Sequence, residues 1–403
     1  MRTIRILAGW IIVFVIGLTG VWPQVSFAQE EPPAGASQLF LPMTVSNGVP
    51  IQQTPDAENP TALVVSDVAA DEQVATAEFW TRERMQAAIA LDSVQATSEQ
   101  VAAAQEATAA MQPGAKGYAP ANLPDAKADA LARQQYAAEW ARMEANPQPA
   151  EGELQAAGVT DLDAYSSSPP FVSYYINDAT ATWKVFPWIT MGRIFFRIPG
   201  MGTAQYACSA SAAYGRAVWT AGHCLYTQER GWSTNMIFVP AYRNGSYPYG
   251  SFTVKSMTAL SGWVNSNNLA YDIGMVAVND RSGLKLSQWV GSLGFLYNTS
   301  GTQLFHAFGY PGNYSAGRYL VTCAASTFRR DTLPGPPPLG IGCDMGSGAS
   351  GGPWLVAYAP FKGGLTNYIN SVVSYTYAGA PSEMYGPYFG DGAKWLYDWG
   401  KTQ

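Results

Sequence analysis

Two short stretches hold residues whose types could break an acyl bond. GSGASGGPW, residues 346–354, places Ser350 in a backbone with almost no side-chain bulk. Such a stretch lets a substrate carbonyl approach and lets amide N–H groups point at a developing oxyanion. On its own a glycine-rich stretch is equally well read as a flexible loop. A serine hydroxyl is a weak nucleophile until a base takes its proton, and that base needs an orienting carboxylate. TAGHCLY, residues 220–226, supplies His223, one of two histidines in 403 residues, with Cys224 directly after it. Between His223 and Ser350 the acidic residues are Glu229, Asp272, Asp280, Asp331 and Asp344. Asp272 stands at the head of the apolar run AYDIGMVAV, where an ionised side chain is costly unless it is hydrogen-bonded. It is either the carboxylate that accepts from an imidazole N–H or a turn residue that starts a strand. His306, in LFHAFGYPG, has no acid beside it and reads as a packed strand residue.

Chain order separates two reaction classes. Gly348-Ala349-Ser350-Gly351-Gly352 also fits the nucleophile elbow of α/β-hydrolases, but there the histidine follows the serine, and neither histidine does so here. The motifs TAGHC, DIGMVAV, AFGYPG and CDMGSGASGGP together resemble the trypsin-like serine peptidases of the chymotrypsin fold, in particular the secreted microbial branch that includes the glutamyl endopeptidases. The resemblance runs over roughly residues 187–400. It implies an all-β fold of two six-stranded antiparallel β-barrels with a C-terminal helix. It also implies a triad of His223, Asp272 and Ser350, with the backbone N–H groups of Gly348 and Ser350 as oxyanion donors. Cys208 and Cys224 match the family's bridge beside the histidine, and Ser374 and Tyr375 fall in the strand segment that borders the primary specificity pocket.

Departures from the family pattern matter for specificity. Ala349 stands where animal members carry the aspartate that pairs with a newly released N-terminus, so activation through that ion pair is not expected. No histidine follows Ser350, which speaks against the glutamate-specific pocket. Asp344 lies six residues before Ser350, the offset of a pocket carboxylate in Arg/Lys-specific members. It would favour a basic P1 residue through a charge-assisted pair, or else it bonds locally beside Cys343.

The elements that must position these residues lie in a chain of two unlike halves. Residues 1–28 read as a secretory signal, with Arg2 and Arg5, an apolar run and small residues at Ser26 and Ala28. The competing reading is an uncleaved anchor. Secretion lets the four cysteines pair, and Cys208 to Cys224 with Cys323 to Cys343 is the simplest of three pairings. A zinc site is disfavoured by the absence of a CxxC pair and the scarcity of histidine. From Gln29 to Thr180, 6 Lys+Arg stand against 21 Asp+Glu; from Ala181 to Gln403, 15 stand against 8.

The acidic half, residues 29–180, holds two helix-like stretches, 77–94 and 125–145, with linker-like QEEPPAGA and MQPGAKGYAP between and before them. The basic half, residues 181–403, has short alternating or apolar runs separated by Gly, Asn, Ser and Pro, as a β-sandwich or barrel does. TLPGPPPLG, residues 332–340, reads as a stapled surface loop, and GAKWLYDWGK as a closing helix with Trp395 and Trp399 on one face. Opposite net charges give a physical basis for an acidic prosegment held on a basic peptidase domain until it is cleaved. The expected partners are thus protein or peptide substrates and the chain's own prosegment, with no metal or organic cofactor, no nucleic acid and no membrane association after signal removal. The competing reading is a non-catalytic binding or adhesion protein on the same fold.

Overall fold

Helices in the acidic half end where caps and β-branched residues dictate, and the extended pieces between them are added to the sheets of the basic half. The computed structural model describes residues 59–92, 94–96, 114–145, 169–176 and 182–403, all within the unit Pro50–Gln403. The expected signal at 1–28 and the QEEPPAGA linker lie outside the described residues. Strand β1 (Leu63–Asp67) is followed by helices α1 (Ala70–Phe79) and α2 (Arg82–Ala87). Thr81 caps α2 by accepting from the Arg84 N–H at 3.3 Å. The helix expected over 77–94 therefore breaks at Trp80 and stops at Ala87. Beyond it β2 (Ile89–Ala90) and β3 (Val94–Gln95) are extended, each beside a strand of the basic half. Strand β4 (Gly117–Ala119) corrects the linker reading at these three residues, because they complete a sheet edge. Asp125 caps α3 (Ala126–Gln135), accepting from Lys127 N–H at 2.7 Å, and after a break at Tyr136 comes α4 (Ala137–Ala145). Strand β5 (Val172–Tyr175) closes the acidic half.

The basic half begins with β6 (Met191–Arg197), β7 (Tyr206–Ala212), β8 (Ala217–Thr220), the single turn α5 (Gly222–Leu225), and the small hairpin β9 (Tyr226–Thr227) and β10 (Gly231–Trp232). Then follow β11 (Thr234–Pro240), β12 (Phe252–Leu260), α6 (Ser261–Ser266) and β13 (Gly274–Val278). Six of these strands pair antiparallel in the order β12, β11, β6, β7, β8, β13, and β13 returns to β12, so the barrel is closed. Both faces of β13 and nearly all of β6 are buried, as a strand covered on two sides requires. β12 pairs with β11 only at Phe252 and Thr253, and β1 pairs with Ser256–Leu260 further along.

The second half of the basic part adds α7 (Leu286–Val290), β14 (Gly294–Tyr297), β15 (Leu304–Gly309), β16 (Val321–Arg330), β17 (Leu339–Gly342) and β18 (Pro353–Val356). It ends with β19 (Tyr368–Val372), β20 (Tyr375–Thr376), β21 (Glu383–Gly386) and α8 (Asp391–Thr402). The sheet runs β3, β20, β21, β17, β16, β15, β18, β19, β14, β4, with β5 alongside β16. The molecule is thus mostly β, with one closed barrel as expected. The second barrel is an open half-barrel sheet, because β14 lies parallel to β19 and the sheet's ends are taken by β4 and β3 of the acidic half. An unpaired strand edge is a row of unmet N–H and C=O groups, and the acidic half covers several such edges. The 332–340 loop is less superficial than expected, since Leu333 is buried and the Pro334 carbonyl accepts from Asn268 Nδ2 at 2.8 Å.

Helix α8 buries Ala393, Leu396, Tyr397 and Gly400, spaced three and four apart. The Tyr397 ring stacks on Phe295 with centroids 4.6 Å apart. Trp395 points outward at 48% exposure, so the expected Trp395 and Trp399 face is not the buried one. Among the described residues no helix is long and apolar enough to cross a membrane. Leu396→Ala is expected to lower stability by about 2–5 kcal/mol, the usual cost of a truncated core leucine, and Trp395→Ala by much less. Urea unfolding monitored by fluorescence compares the two.

Candidate active site

The site is assembled where the closed barrel meets the open sheet. β8 delivers the chain into α5, which carries His223, and the Cys208–Cys224 disulfide ties that turn to β7. Gly222 precedes the histidine because a Cβ there would lie 2.7 Å from the Trp263 ring and 2.9 Å from Asp272 Oδ1. Asp272 ends a 3₁₀ turn, Leu269–Tyr271, two residues before β13, and is fully buried. Its Oδ1 accepts from the His223 backbone N–H at 2.7 Å. Its Oδ2 lies 2.7 Å from His223 Nδ1 and accepts from Ser374 Oγ at 2.6 Å. An ionised carboxylate can only accept, so Nδ1 is the donor in this pair and Nε2 is the ring nitrogen not engaged by Asp272.

Ser350 sits in the turn between β17 and β18 and is fully buried. The Ser350 hydroxyl and His223 Nε2 are both buried without a hydrogen-bond partner. Gly348 adopts φ +88° and Gly351 φ +81°, values that favour glycine. A Cβ at Gly351 would stand 2.2 Å from Thr220 Oγ1 and 2.4 Å from the Ser209 carbonyl, so the turn is pressed against the closed barrel. Ser209 of β7 holds it there: its N–H donates to the Ser350 carbonyl at 2.8 Å and its Oγ donates to the Gly348 carbonyl at 2.8 Å, while that Oγ accepts from the Tyr310 N–H at 2.8 Å. Sequence reasoning missed Ser209, whose only signal was its place beside Cys208. The Gly348 N–H is engaged by the Leu91 carbonyl at 2.8 Å.

The residues expected near a specificity pocket are placed differently from one another. Ser374 faces Asp272, as above, and Tyr375 stacks on Tyr385 at 5.1 Å while donating to Asp331. Burial and the Asp331 carboxylate push the Tyr375 hydroxyl well above its ordinary pKa. Asp344 accepts from Ser173 Oγ and Tyr314 OH, both at 2.6 Å, beside the Cys323–Cys343 disulfide. Its two oxygens are thus met by local hydroxyls. His306 packs on Tyr358 with ring centroids 4.5 Å apart, and burial lowers its pKa.

No family model matches the chain. A solved structure, protease Anisep from Arthrobacter nicotinovorans, is 36% identical over 53% of this chain and 96% of its own, with a TM-score of 0.48. A glutamyl endopeptidase of Bacillus licheniformis is 39% identical over 106 residues, 25% of this chain and 32% of that protein. The chain belongs to the trypsin-like serine peptidases. An extracellular metalloprotease of Bacillus subtilis is 29% identical over 106 residues, 26% of this chain. The matches span about a third of these two curated relatives. The name of the last raises the question of a metal in this trypsin-like chain. Among the described residues, Cys208, His223 and Cys224 come together, as do Cys323, Cys343 and Asp344. In both groups the sulfurs are tied in disulfides and offer no thiolate, and His223 Nδ1 is taken by Asp272, so these residues do not fit a metal.

Two outcomes are expected. Ser209→Ala leaves the Tyr310 N–H and the Gly348 carbonyl without their buried partner and costs about 1–3 kcal/mol, read by thermal or urea unfolding. His306 has a folded pKa below its unfolded value of 6.5, so its neutral form stabilises the fold above that pH. This contribution is lost as pH falls from 6.5 toward the lowered pKa. The stability difference between His306→Phe and wild type should shift in favour of the variant between pH 7.5 and 5.

Proposed function

We propose that the chain is a secreted serine endopeptidase made as a precursor, with a signal at 1–28, an acidic prosegment at 29–180 and a peptidase domain at 181–403. The observation that carries this reading is the buried Asp272 carboxylate, which takes both the backbone N–H and Nδ1 of His223 and so leaves Nε2 as the ring nitrogen for proton transfer. Family membership and the proteolytic names of its relatives support it.

In this mechanism Ser350 Oγ attacks the peptide carbonyl while His223 Nε2 takes its proton. The backbone N–H groups of Gly348 and Ser350 stabilise the oxyanion. Asp272 stabilises the imidazolium that forms and does not itself take the proton. The imidazolium then protonates the departing amine. His223 next activates a water that attacks the acyl-enzyme, and Ser350 is regenerated with release of the acid. Ser374 shares the Asp272 charge and acts as a positioning residue rather than a substrate contact. Asp344 would select a basic P1 side chain only after giving up its hydroxyl partners, so a basic preference is not part of this reading.

The test is labelling with a fluorophosphonate, on the full chain and after limited proteolysis of the acidic half, with peptide mapping. One adduct on Ser350, absent in Ser350→Ala, is expected, and Asp272→Asn should lower turnover of a peptide substrate by about 10⁴-fold. A Ser350 that stays unlabelled in both forms would favour a non-catalytic binding protein on this fold.

A further inference from the structure

Resting on the serine-peptidase reading, we propose that residues 88–92 and 94–96 lie in the substrate groove with their chain direction opposite to that of a substrate, and so close the site without being cut. The direction of a substrate follows from the chemistry. The amine that departs takes its proton from His223 Nε2, and Cys224, the residue after His223, is tied by a disulfide to Cys208 of β7, next to Ala207. The part of a substrate that leaves with the amine, its C-terminal side, therefore runs past β7 at Gln205–Ala207. The acyl part, its N-terminal side, lies on the other side of Ser350, along Ser374–Thr376.

The covering segment does the reverse. Its first residues bond the β7 side: the Ile89 N–H donates to the Gln205 carbonyl at 2.8 Å and the Leu91 N–H to the Ala207 carbonyl at 2.9 Å. Its last residues bond the other side, where the Ala96 N–H donates to the Thr376 carbonyl at 3.2 Å. Both pairings are parallel, β2 with β7 and β3 with β20. A chain laid in the opposite direction would meet both strands antiparallel.

Midway, the Leu91 carbonyl takes the Gly348 N–H, one of the two oxyanion donors. In this direction the amide nitrogen that follows Leu91 lies toward Ser374–Thr376 and away from His223. Attack on that carbonyl would find no proton for its leaving group, and the alkoxide would collapse back to the intact peptide. Ala90 makes the fit close, since a Cβ on Gly348 would come within 2.9 Å of the Ala90 Cβ and one on Gly312 within 3.1 Å. Asp92 Oδ1 adds an anchor by accepting from Ser347 Oγ at 3.0 Å. The burial of Ser350 and the unpartnered His223 Nε2 are what such a cover produces.

The experiment uses the full chain and measures the rate of fluorophosphonate attachment to Ser350 in wild type, Ala90→Trp and Asp92→Ala, with peptide mapping of residues 88–96. Ala90→Trp, which cannot fit against Gly348, should label at least about tenfold faster than wild type. Asp92→Ala, an exposed position that leaves the packing intact, should label about two- to fivefold faster. Wild type should show no cut between Ile89 and Gln95. Equal rates in the three chains would overturn the closure while leaving the serine enzyme standing. A cut between Ile89 and Gln95 that disappears in Ser350→Ala would overturn the reversed direction. No label on any chain, even after proteolysis of the acidic half, would overturn the serine-peptidase reading and the closure with it.

Discussion

A carboxylate taken out of water must be met by donors, and here the donors come from both sheets. Asp272 enters from the head of β13, His223 from the turn after β8, and Ser374 from the approach to β20. Removing any donor would leave a buried charge short of a partner, at a cost well above that of an ordinary hydrogen bond. Of these contacts the Ser374 bond ties the open sheet to the closed barrel, and the Nδ1 bond sets the imidazole tautomer. Ser350 depends on this junction, because its turn is pressed on β7 and β8 by Ser209 and by glycines that leave room for no side chain. Position and chemistry are therefore set by one packing decision.

Much of this was legible in the residues. An aspartate heading an apolar strand demands a donor, and His223 was the natural one to supply it. The two disulfides formed between near neighbours in sequence, at separations of 16 and 20 residues. What the sequence did not reveal were contacts made by small polar side chains, whose roles depend wholly on what faces them. Ser209 and Ser374 are ordinary strand serines until the fold puts one on a glycine carbonyl and the other on a buried carboxylate. Asp344 shows the converse, since its offset from Ser350 matched a pocket residue and its surroundings supplied Ser173 and Tyr314 instead.

The acidic half was misread for a different reason. Its alanine- and glutamate-rich composition favours helix, and α1 to α4 are helical. Yet Ile89–Ala90, Val94–Gln95 and Gly117–Ala119 are extended, because a strand edge nearby offers backbone hydrogen bonds that a helix end at that point could not replace. Tertiary pairing overrode local propensity, as it does most readily for short segments.

Among the described residues, five strands of the acidic half pair with strands of the basic half. Lys184 pairs with Glu144 across the two halves, an exposed contact at 2.8 Å. Arg82 instead pairs with Glu139 inside the acidic half, and that carboxylate also accepts from the Tyr247 N–H. Other contacts between the halves include hydrogen bonds, such as Trp80 Nε1 to the Asn235 carbonyl at 2.6 Å and Tyr249 OH to Asp129 at 2.8 Å, the Arg281 guanidinium over the Tyr136 ring, and the packing of Trp140 on Tyr249. Exposed ion pairs weaken as salt screens them, whereas buried backbone pairing and aromatic packing do not. The described pieces of the acidic half are thus held on the basic half by strand pairing and packing. Salt would then weaken the Lys184–Glu144 pair and leave the strand pairing between the halves in place.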